Sequence, residues 1–317
     1  MNHFATRCIT ALFRLSARLP FRVLLRLSSV AYVLVYSVLR YRRRIVRRNL
    51  TAAFSGMSAS EIKAIEQRFY RWFCDYFFET LKMLTLNPAE MLQHMEFCGY
   101  EAIEECFDRG QDCAAILGHY ANWEFLSATP LAARRHPNAA VGLIYHPLYN
   151  EAFNQLFLDI RRSKGGVCIP KQQILRYLVN YRHEERRNLF GYIADQGPKW
   201  ENIHLWLKFL HQDTPVFTGA ERIMRKMHNA VFYVDMQRIA RAHYRCTFRL
   251  ISADAAKEEP FAVTRRFFQM LEDSIRRDPA CYLWTHNRWK RTHEEFNRLY
   301  EVKDGKVVPR KHNDNSQ

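Results

Sequence analysis

Short aliphatic runs alternate with amphipathic segments between residues 95 and 194 of the chain. Each run is short for a buried helix and is bounded by glycine, proline or polar residues, which is typical of an interior strand. Strands that alternate with helices form crossover units, so the pattern predicts an α/β fold with a mainly parallel central sheet flanked by helices. The predicted strands are 95–98, 113–117, 139–145, 166–169 and 189–194, and the predicted helices are 101–108, 124–134, 151–162 and 172–181.

Other patterns flank this region. Residues 58–61 read Ser-Ala-Ser-Glu, a capping box, and apolar residues then recur at spacings of three and four as far as Leu81. They predict a long helix whose aromatic face packs against the main domain or the N-terminal segment. Further predicted elements are a basic helix at 218–228, an antiparallel strand pair at 230–239 and 244–251, and a helix at 261–276.

The N-terminal segment contains an uncharged run, residues 27–39, with arginines on both sides. A membrane span needs about twenty apolar residues, a length that is reached from Pro20 if two arginine side chains extend to the interface. Residues 1–40 are therefore expected to be a membrane anchor, either a single span or an interfacial helix. Because arginines cluster after the run, the positive-inside tendency predicts residue 41 onward on the cytoplasmic side.

Composition indicates the domain organisation and the class of partner. The chain of 317 residues is expected to form one large domain at 41–302, followed by a polar, mobile tail at 303–317. The formal net charge of +16 indicates an anionic partner: a nucleic acid, an anionic membrane surface or an acidic protein. Nucleic acid is a distant alternative, because the basic residues cluster beside the apolar run. The eight cysteines form no C-x2-C pair and are expected to be reduced thiols.

A candidate reaction centre follows the strand predicted at 113–117. His119 lies at the carboxyl end of that strand, where open α/β sheets keep their sites. Asn122 is predicted to cap the next helix, with Glu124 in its first turn, so that the histidine and the carboxylate meet in one cleft. The alternative is a strand-end histidine bound by backbone and a carboxylate at a helix N-terminus. The same spacing recurs after His146, but that histidine begins a turn-like sequence.

Asp195 ends the strand predicted at 189–194 and is expected on the same rim as His119. The sequence contains no phosphate loop, no dinucleotide fingerprint, no zinc-protease helix and no serine elbow. A third metal ligand at a suitable spacing from His119 and Glu124 is also missing, so neither a metal nor a dissociable cofactor is expected. A histidine that acts as a base on the substrate's own nucleophile is the chemistry that these residues support.

Several ordered motifs are similar to those of one known family. They are the arginine-rich segment 42–50, Gly118-His119-Tyr120-Ala121-Asn122-Trp123-Glu124, the segments 145–150 and 161–166, Asp195-Gln196, and the segment 282–290. Together they resemble the lauroyl/myristoyl acyltransferases of lipid A biosynthesis, within the glycerolipid acyltransferase-like superfamily, over nearly the whole chain. His146 is a departure, because the family usually has arginine there.

The resemblance implies an enzyme of the bacterial inner membrane whose catalytic domain faces the cytoplasm. It would move a fatty acyl chain from acyl carrier protein to a hydroxyl of a phosphorylated lipid A precursor. In this interpretation His119 is the general base, and Glu124 orients the imidazole and stabilises the imidazolium. The residues implied in substrate binding are Asn122, Arg162, Asp195, Gln196 and Arg288.

Some of these assignments have alternatives. Arg162 either holds an acceptor phosphate or the developing oxyanion, or is a solvated charge at a helix end. Asp195 and Gln196 either contact the substrate or organise a loop. The acceptor is either a phosphorylated disaccharide lipid or another lysolipid or amino-lipid. The cations of the helix predicted at 218–228 are a candidate contact for the acidic carrier protein.

Overall fold

The computed structural model describes residues 3–303 and 306–310, with the backbone alone for residues 3–8. The strands of this part of the chain, in chain order, are β1 (Met95–Cys98), β2 (Cys113–Leu117), β3 (Ala140–Tyr145), β4 (Val167–Pro170), β5 (Asn188–Ile193), β6 (Trp206–Phe209), β7 (Gln212–Pro215), β8 (Ala230–Ala240), β9 (His243–Ser252), β10 (Tyr300–Lys303) and β11 (Lys306–Pro309).

A seven-stranded sheet forms the centre of the fold, in the order β1-β9-β8-β2-β5-β3-β4. All neighbouring strands are parallel except β8 and β9, which form an antiparallel hairpin. The predicted α/β class with a mainly parallel sheet is confirmed, and the ends of the predicted strands differ from the observed ones by at most one residue. The aliphatic runs were informative because interior parallel strands are covered on both faces, and all of β2 is buried.

The helices, in chain order, are α1 (His3–Ser16), α2 (Phe21–Val33), α3 (Arg43–Ala53), α4 (Ala59–Lys82), α5 (Pro88–His94), α6 (Glu101–Asp108), α7 (Glu151–Arg162), α8 (Ile174–His183), α9 (Gly219–Lys226), α10 (Ala262–Arg277) and α11 (His293–Leu299). The predicted capping box opens α4: the hydroxyl of Ser58 accepts a bond from the N–H of Glu61, whose carboxylate accepts one from the N–H of Ser58. Most of the aromatic face of α4 is buried in the core, as predicted, with Phe69 and Trp72 fully covered, whereas Phe77 is exposed.

The segment predicted as a helix at 124–134 is a 3₁₀-helix, Trp123–Ala132, so the prediction of its type is wrong. The hydroxyls of Ser127 and Thr129 donate to carbonyl groups three residues earlier, which suits the tighter winding. Pro130 has no N–H with which to close an α-helical turn. Apolar spacing over so short a segment does not distinguish the two windings.

The region predicted as an anchor contains α1 and a longer helix, in which α2 continues into a π-helical turn, Leu34–Val38. The stretch Phe21–Val38 has 18 residues, a mean hydropathy of 1.5 and 17% of its length buried, so it is long and apolar enough to cross a membrane. One face packs against α4, where the hydroxyl of Ser28 donates to the buried carboxylate of Asp75 at 2.6 Å. The other face leaves aliphatic side chains such as Val30 exposed.

The C-terminal residues differ from the mobile tail predicted at 303–317. Strand β11 pairs antiparallel with β10, so residues 306–309 belong to a hairpin. Val302 and Val307 are paired in the register of this hairpin. The polar composition of the segment gave no indication of the pairing. Residues 311–317 lie outside the described part of the chain.

Candidate functional site

Two neighbouring strands bring predicted site residues to one edge of the sheet. Strands β2 and β5 are parallel, and their last residues, Leu117 and Ile193, are paired in the register. His119 and Asp195 each follow two residues later, at the carboxyl edge. The prediction that they share a rim is confirmed.

The side chains of His119 and Asp195 are in direct contact. Nδ1 of His119 lies 2.7 Å from Oδ1 of Asp195. Burial acts to raise the pKa of Asp195, but the charge of the imidazole and its hydrogen bonds outweigh burial, so that the pKa is lowered. The carboxylate is therefore ionised at neutral pH and accepts a hydrogen bond from Nδ1–H. Because the imidazole is 19% exposed and the carboxylate 3%, a substrate reaches the histidine and not the aspartate.

The remaining contacts of the imidazole fix its plane. With Nδ1–H donating a hydrogen bond to Asp195, Nε2 of the neutral imidazole carries a lone pair. The side-chain nitrogen of Gln196 lies 3.3 Å from Nε2. The indole of Trp123 packs edge-on against the imidazole, with ring centroids 5.0 Å apart. His119 is thus held in one tautomer, with Gln196 at the nitrogen that would take a proton.

The structure corrects the predicted partner of His119. Glu124 is buried, but its two carboxylate oxygens accept hydrogen bonds from Arg161 at 2.7 and 2.8 Å, in a bidentate ion pair. Asp195 occupies the position at Nδ1 that the sequence spacing predicted for Glu124. The five-residue spacing brings the two residues close along the chain, but the turn between them directs the carboxylate of Glu124 towards α7. A direct catalytic role of Glu124 stays a prediction.

The turn that follows β2 also differs from the prediction. Ala121 has a left-handed backbone, with φ 51°, and the side-chain amide of Asn122 donates to Glu79 at 3.0 Å in place of capping the next helix. Glu79 is fully buried and accepts a second bond from Tyr244, and burial raises its pKa. Asn122, itself fully buried, therefore ties the turn to α4. Substrate binding by Asn122 stays a prediction.

Helix α7 ends in two arginines with opposite surroundings. Arg161 faces inward, bonded to Glu124 and packed over the ring of Phe157 at 5.4 Å. Arg162, the predicted site cation, is exposed. Successive residues of an α-helix point about 100° apart, and the helical period with Phe157 is the sequence signal that could have identified Arg161. The cation that faces Glu124 is therefore Arg161, which is partly buried, and a role of Arg162 in binding stays a prediction.

The segment 281–288 closes one side of the site. The N–H of Leu283 donates to the carbonyl of His119, and the N–H of Ala121 donates to the carbonyl of Cys281. These bonds attach the segment to the turn that carries the histidine.

Arg288 is the most buried cation of this segment, at 3% exposure. Its Nη2 donates to the carbonyl of Pro215 at 2.7 Å, whereas its Nε and Nη1 have no hydrogen-bond partner among the described residues. Burial lowers its pKa, although the negative charge of Asp195 acts in the opposite direction. A Cβ atom at position 197 would lie 3.1 Å from Nη1 of Arg288, so the glycine at this position leaves room for the guanidinium.

His286 lies in the same segment, and its sequence pattern did not predict a role in the site. Burial lowers its pKa to about 4, and the charges of Asp195 and Arg288 also act on it. Its imidazole is therefore neutral at physiological pH. The mixture of aromatic and cationic residues in 282–291 indicated a segment with a functional role, but it did not indicate that His286 is buried and neutral.

The second histidine with the same spacing lies elsewhere. His146 is exposed, and its Nδ1 lies 2.9 Å from the carbonyl oxygen of Pro147. Among the side chains that the structure describes, in residues 9–303 and 306–310, no three histidine, cysteine or acidic groups come together as a metal site.

Comparison with known proteins identifies the family. A family model described as bacterial lipid A biosynthesis acyltransferase matches residues 3–291. No curated protein sequence matches the chain. The family match spans the N-terminal helices, the sheet and the segment 281–288, and it includes the edge where His119 and Asp195 meet. The chain therefore belongs to the bacterial lipid A biosynthesis acyltransferase family.

Proposed function

We propose that this protein transfers a fatty acyl chain from acyl carrier protein to a hydroxyl group of a lipid A precursor, with His119 as the general base. The observation that carries this proposal is the contact between Nδ1 of His119 and the buried carboxylate of Asp195. A hydroxyl is a poor nucleophile until a base takes its proton as it attacks, and an imidazole held by a carboxylate is suited to that task.

The reaction proceeds by direct transfer. Nε2 of His119 takes the proton of the acceptor hydroxyl while its oxygen attacks the thioester carbonyl carbon, and Gln196 moves away from Nε2 or turns to bond the hydroxyl. Asp195 stabilises the imidazolium that forms. The tetrahedral intermediate then collapses, the carbon–sulfur bond breaks, and the imidazolium returns the proton to the thiolate of the carrier's prosthetic group.

Two arginines have different parts in this proposal. Arg161 holds Glu124 and so fixes the 3₁₀-helix behind the histidine. The unpaired nitrogens of Arg288 are suited to an anionic group near the reaction centre. Arg162, exposed at the end of α7, is proposed to contact an acceptor phosphate.

The exposed apolar face of Phe21–Val38 supports a place at the bacterial inner membrane, where a lipid acceptor would be within reach. The arginines that follow the helix favour a catalytic domain on the cytoplasmic side, where acyl carrier protein is found. An acceptor of another kind, a lysolipid or an amino-lipid, would use the same chemistry.

The test is acceptor-dependent acyl transfer by the purified protein, with mass spectrometry of the lipid that accumulates in a deletion strain. An under-acylated lipid A precursor is expected to accumulate, whereas an under-acylated phospholipid or amino-lipid would identify the second class of acceptor. His119→Ala is expected to lower kcat by about 10²- to 10⁴-fold, because the general base is lost. His146→Ala is the matched control and is expected to retain activity. A folded His119→Ala protein with more than about a tenth of wild-type kcat would contradict the mechanism.

A further inference from the structure

An open cleft of about 860 Å³ lies where the apolar helix meets α3. Six arginines and one isoleucine line it: Arg40, Arg42, Arg43, Arg44, Ile45, Arg47 and Arg48. We propose that this arginine cleft binds a phosphate group of the lipid acceptor while the acceptor's hydroxyl is at His119. The inference rests on the proposed function and adds a binding site to it.

The charge of the cleft is largely uncompensated. Among the described residues, the one carboxylate that contacts these guanidinium groups is Glu66, which bonds Arg43 and Arg47. The side chains of Arg40 and Arg44 make no hydrogen bond or ion pair with the side chains described, those of residues 9–303 and 306–310, or with the described backbone. Like charges gathered in this way repel one another, and a bound dianion would relieve the repulsion. A guanidinium group is also the cation that matches phosphate oxygens in a bidentate geometry.

The backbone aims the amino end of α3 at the same cleft. Arg40 and Arg42 have left-handed backbones, with φ 49° and 53°, a conformation that is unfavourable for residues with a side chain. The resulting tight turn places the first residues of α3, an 11-residue helix, on the cleft wall. The positive end of the helix dipole therefore adds to the side-chain charges.

The position of the cleft favours a lipid phosphate over an acidic protein. Val38 and Leu39, at the end of the apolar helix, are 67% and 63% exposed, and Arg40 follows at once. When the exposed apolar face lies in the hydrocarbon of a membrane, the cleft lies at the level of the headgroups. A lipid in that membrane reaches the cleft with its phosphate while its chains stay in the bilayer.

Hydrogen bonds join the cleft and helix α3 to the segment 281–288 beside the reaction centre. Nη1 of Arg42 donates to the carbonyl of Thr285 at 3.0 Å. The amide of Asn49, also on α3, donates to the carbonyls of Trp284 and His286. The neighbouring residue, Leu283, bonds the carbonyl of His119. The segment 283–286 therefore connects the cleft to the turn that carries the base, which favours the acceptor over bulk phospholipid.

The decisive variant is Arg40→Gln/Arg44→Gln, because neither side chain has a structural contact to lose. The double variant Arg176→Gln/Arg265→Gln removes the same charge from exposed positions on α8 and α10 and serves as the control. Acyl transfer is measured with a bisphosphorylated disaccharide lipid and with the same lipid after dephosphorylation. The cleft variant is expected to raise KM for the phosphorylated acceptor by about 10- to 100-fold, as for lost charge-assisted bonds. Its KM for the dephosphorylated acceptor and its KM for the donor are expected to stay unchanged, and the control variant is expected to match wild type.

Several outcomes would overturn the inference. An unchanged preference for the phosphorylated acceptor excludes the cleft as its phosphate site. A rise in the donor's KM alone assigns the cleft to the carrier protein. If the cleft variant loses the preference for phosphatidylglycerol over phosphatidylcholine vesicles while its KM for the acceptor is unchanged, the cleft binds bulk lipid headgroups.

A binding measurement separates failure of this inference from failure of the proposed function. Calorimetric titration of detergent-solubilised protein with the bisphosphorylated lipid, without donor, needs no turnover. Wild type is expected to bind the phosphorylated form more tightly than the dephosphorylated form, and the cleft variant is expected to show a clearly smaller difference between the two. Absence of acyl transfer by wild type contradicts the proposed function, whereas equal binding of both lipids by wild type contradicts the cleft assignment.

Discussion

Nδ1 of His119 lies 2.7 Å from Oδ1 of Asp195, although 76 residues separate the two in the chain. Each residue lies two positions after the end of a strand, and the two strands are neighbours in the sheet, so the contact is set by strand order and not by local sequence. The aspartate is buried and ionised, and it holds the imidazole in the tautomer whose Nε2 carries the lone pair that would take a proton.

Asp195→Asn tests this contact. An asparagine can keep the hydrogen bond but cannot stabilise an imidazolium and can select the wrong tautomer, so kcat is expected to fall by about 10⁴-fold. The loss is expected to be far from additive with His119→Ala, because residues that act as a unit fail as a unit. Steady-state acyl transfer, with thermal melts beside it, measures both effects. Retention of most of the wild-type kcat by folded Asp195→Asn protein would show that another group orients His119.

Glu124→Gln separates a structural from a catalytic role of that residue. The substitution leaves the guanidinium of Arg161 without its carboxylate, and breaking a buried ion pair in this way costs about 3–5 kcal/mol of folding free energy. The matched double variant, Glu124→Gln/Arg161→Met, removes the unpaired charge and is expected to recover stability. If the stable double variant is also active, Glu124 acts through positioning. A stable but inactive double variant would support the direct catalytic role, and a Glu124→Gln protein that melts like wild type would contradict the energetic argument.

Val30→Glu/Val33→Glu tests the apolar helix as a membrane contact. Both valines are exposed on the face that does not pack on α4, so charges there are expected to shift the protein from the membrane to the soluble fraction without unfolding it. Val302→Glu, an equally exposed valine in the C-terminal hairpin, serves as the control. Cell fractionation and flotation with anionic vesicles measure the effect. Full retention of the valine variant in membranes would require another anchor.

Arg222→Glu/Lys226→Glu tests the exposed cations of α9 as the contact for acyl carrier protein. Arg225 is left unchanged because it donates to the carbonyl of Glu258. The variant is expected to raise the donor's KM by about tenfold at low salt, with kcat unchanged, because encounter with an acidic partner is electrostatically steered. The effect is expected to fade as the salt concentration brings the Debye length below about 10 Å. Equal effects on a small thioester donor without the carrier would argue against this surface.

His286 predicts a pH dependence of stability. Its folded-state pKa of about 4 is below the ordinary histidine value of about 6.5. At a pH between these two values the unfolded chain binds a proton that the folded protein does not bind. Stability is therefore fully present above about pH 6.5 and falls as the pH is lowered towards 4. With a discount for partial exposure, the loss between pH 7 and pH 5 is about 1 kcal/mol. Denaturant unfolding of wild type and His286→Gln is expected to show a shallower pH dependence for the variant, and identical slopes would contradict the assignment.

The sequence determined much of the fold by itself. Runs of buried aliphatic residues, a capping box and an exposed apolar helix are local patterns. They depend on the period of the backbone and on contact with water, whatever the order of the strands in the sheet. They predicted the sheet strands, the start of α4 and the edge on which His119 and Asp195 lie. They also marked the arginines after the apolar helix, although not the cleft that these side chains form.

Only the tertiary structure decided which polar groups meet. Glu124 is five residues from His119 and pairs with Arg161, whereas Asp195 is distant in the chain and touches the imidazole. The sequence favoured the nearer carboxylate, Glu124, because a sequence shows spacing along the chain and not contacts between distant residues. The left-handed turn at Ala121 and the adjacency of β2 and β5 decide which carboxylate faces the imidazole. Those features arise from long-range packing, since side-chain direction after a tight turn and the order of strands in a sheet are not encoded in any single local pattern.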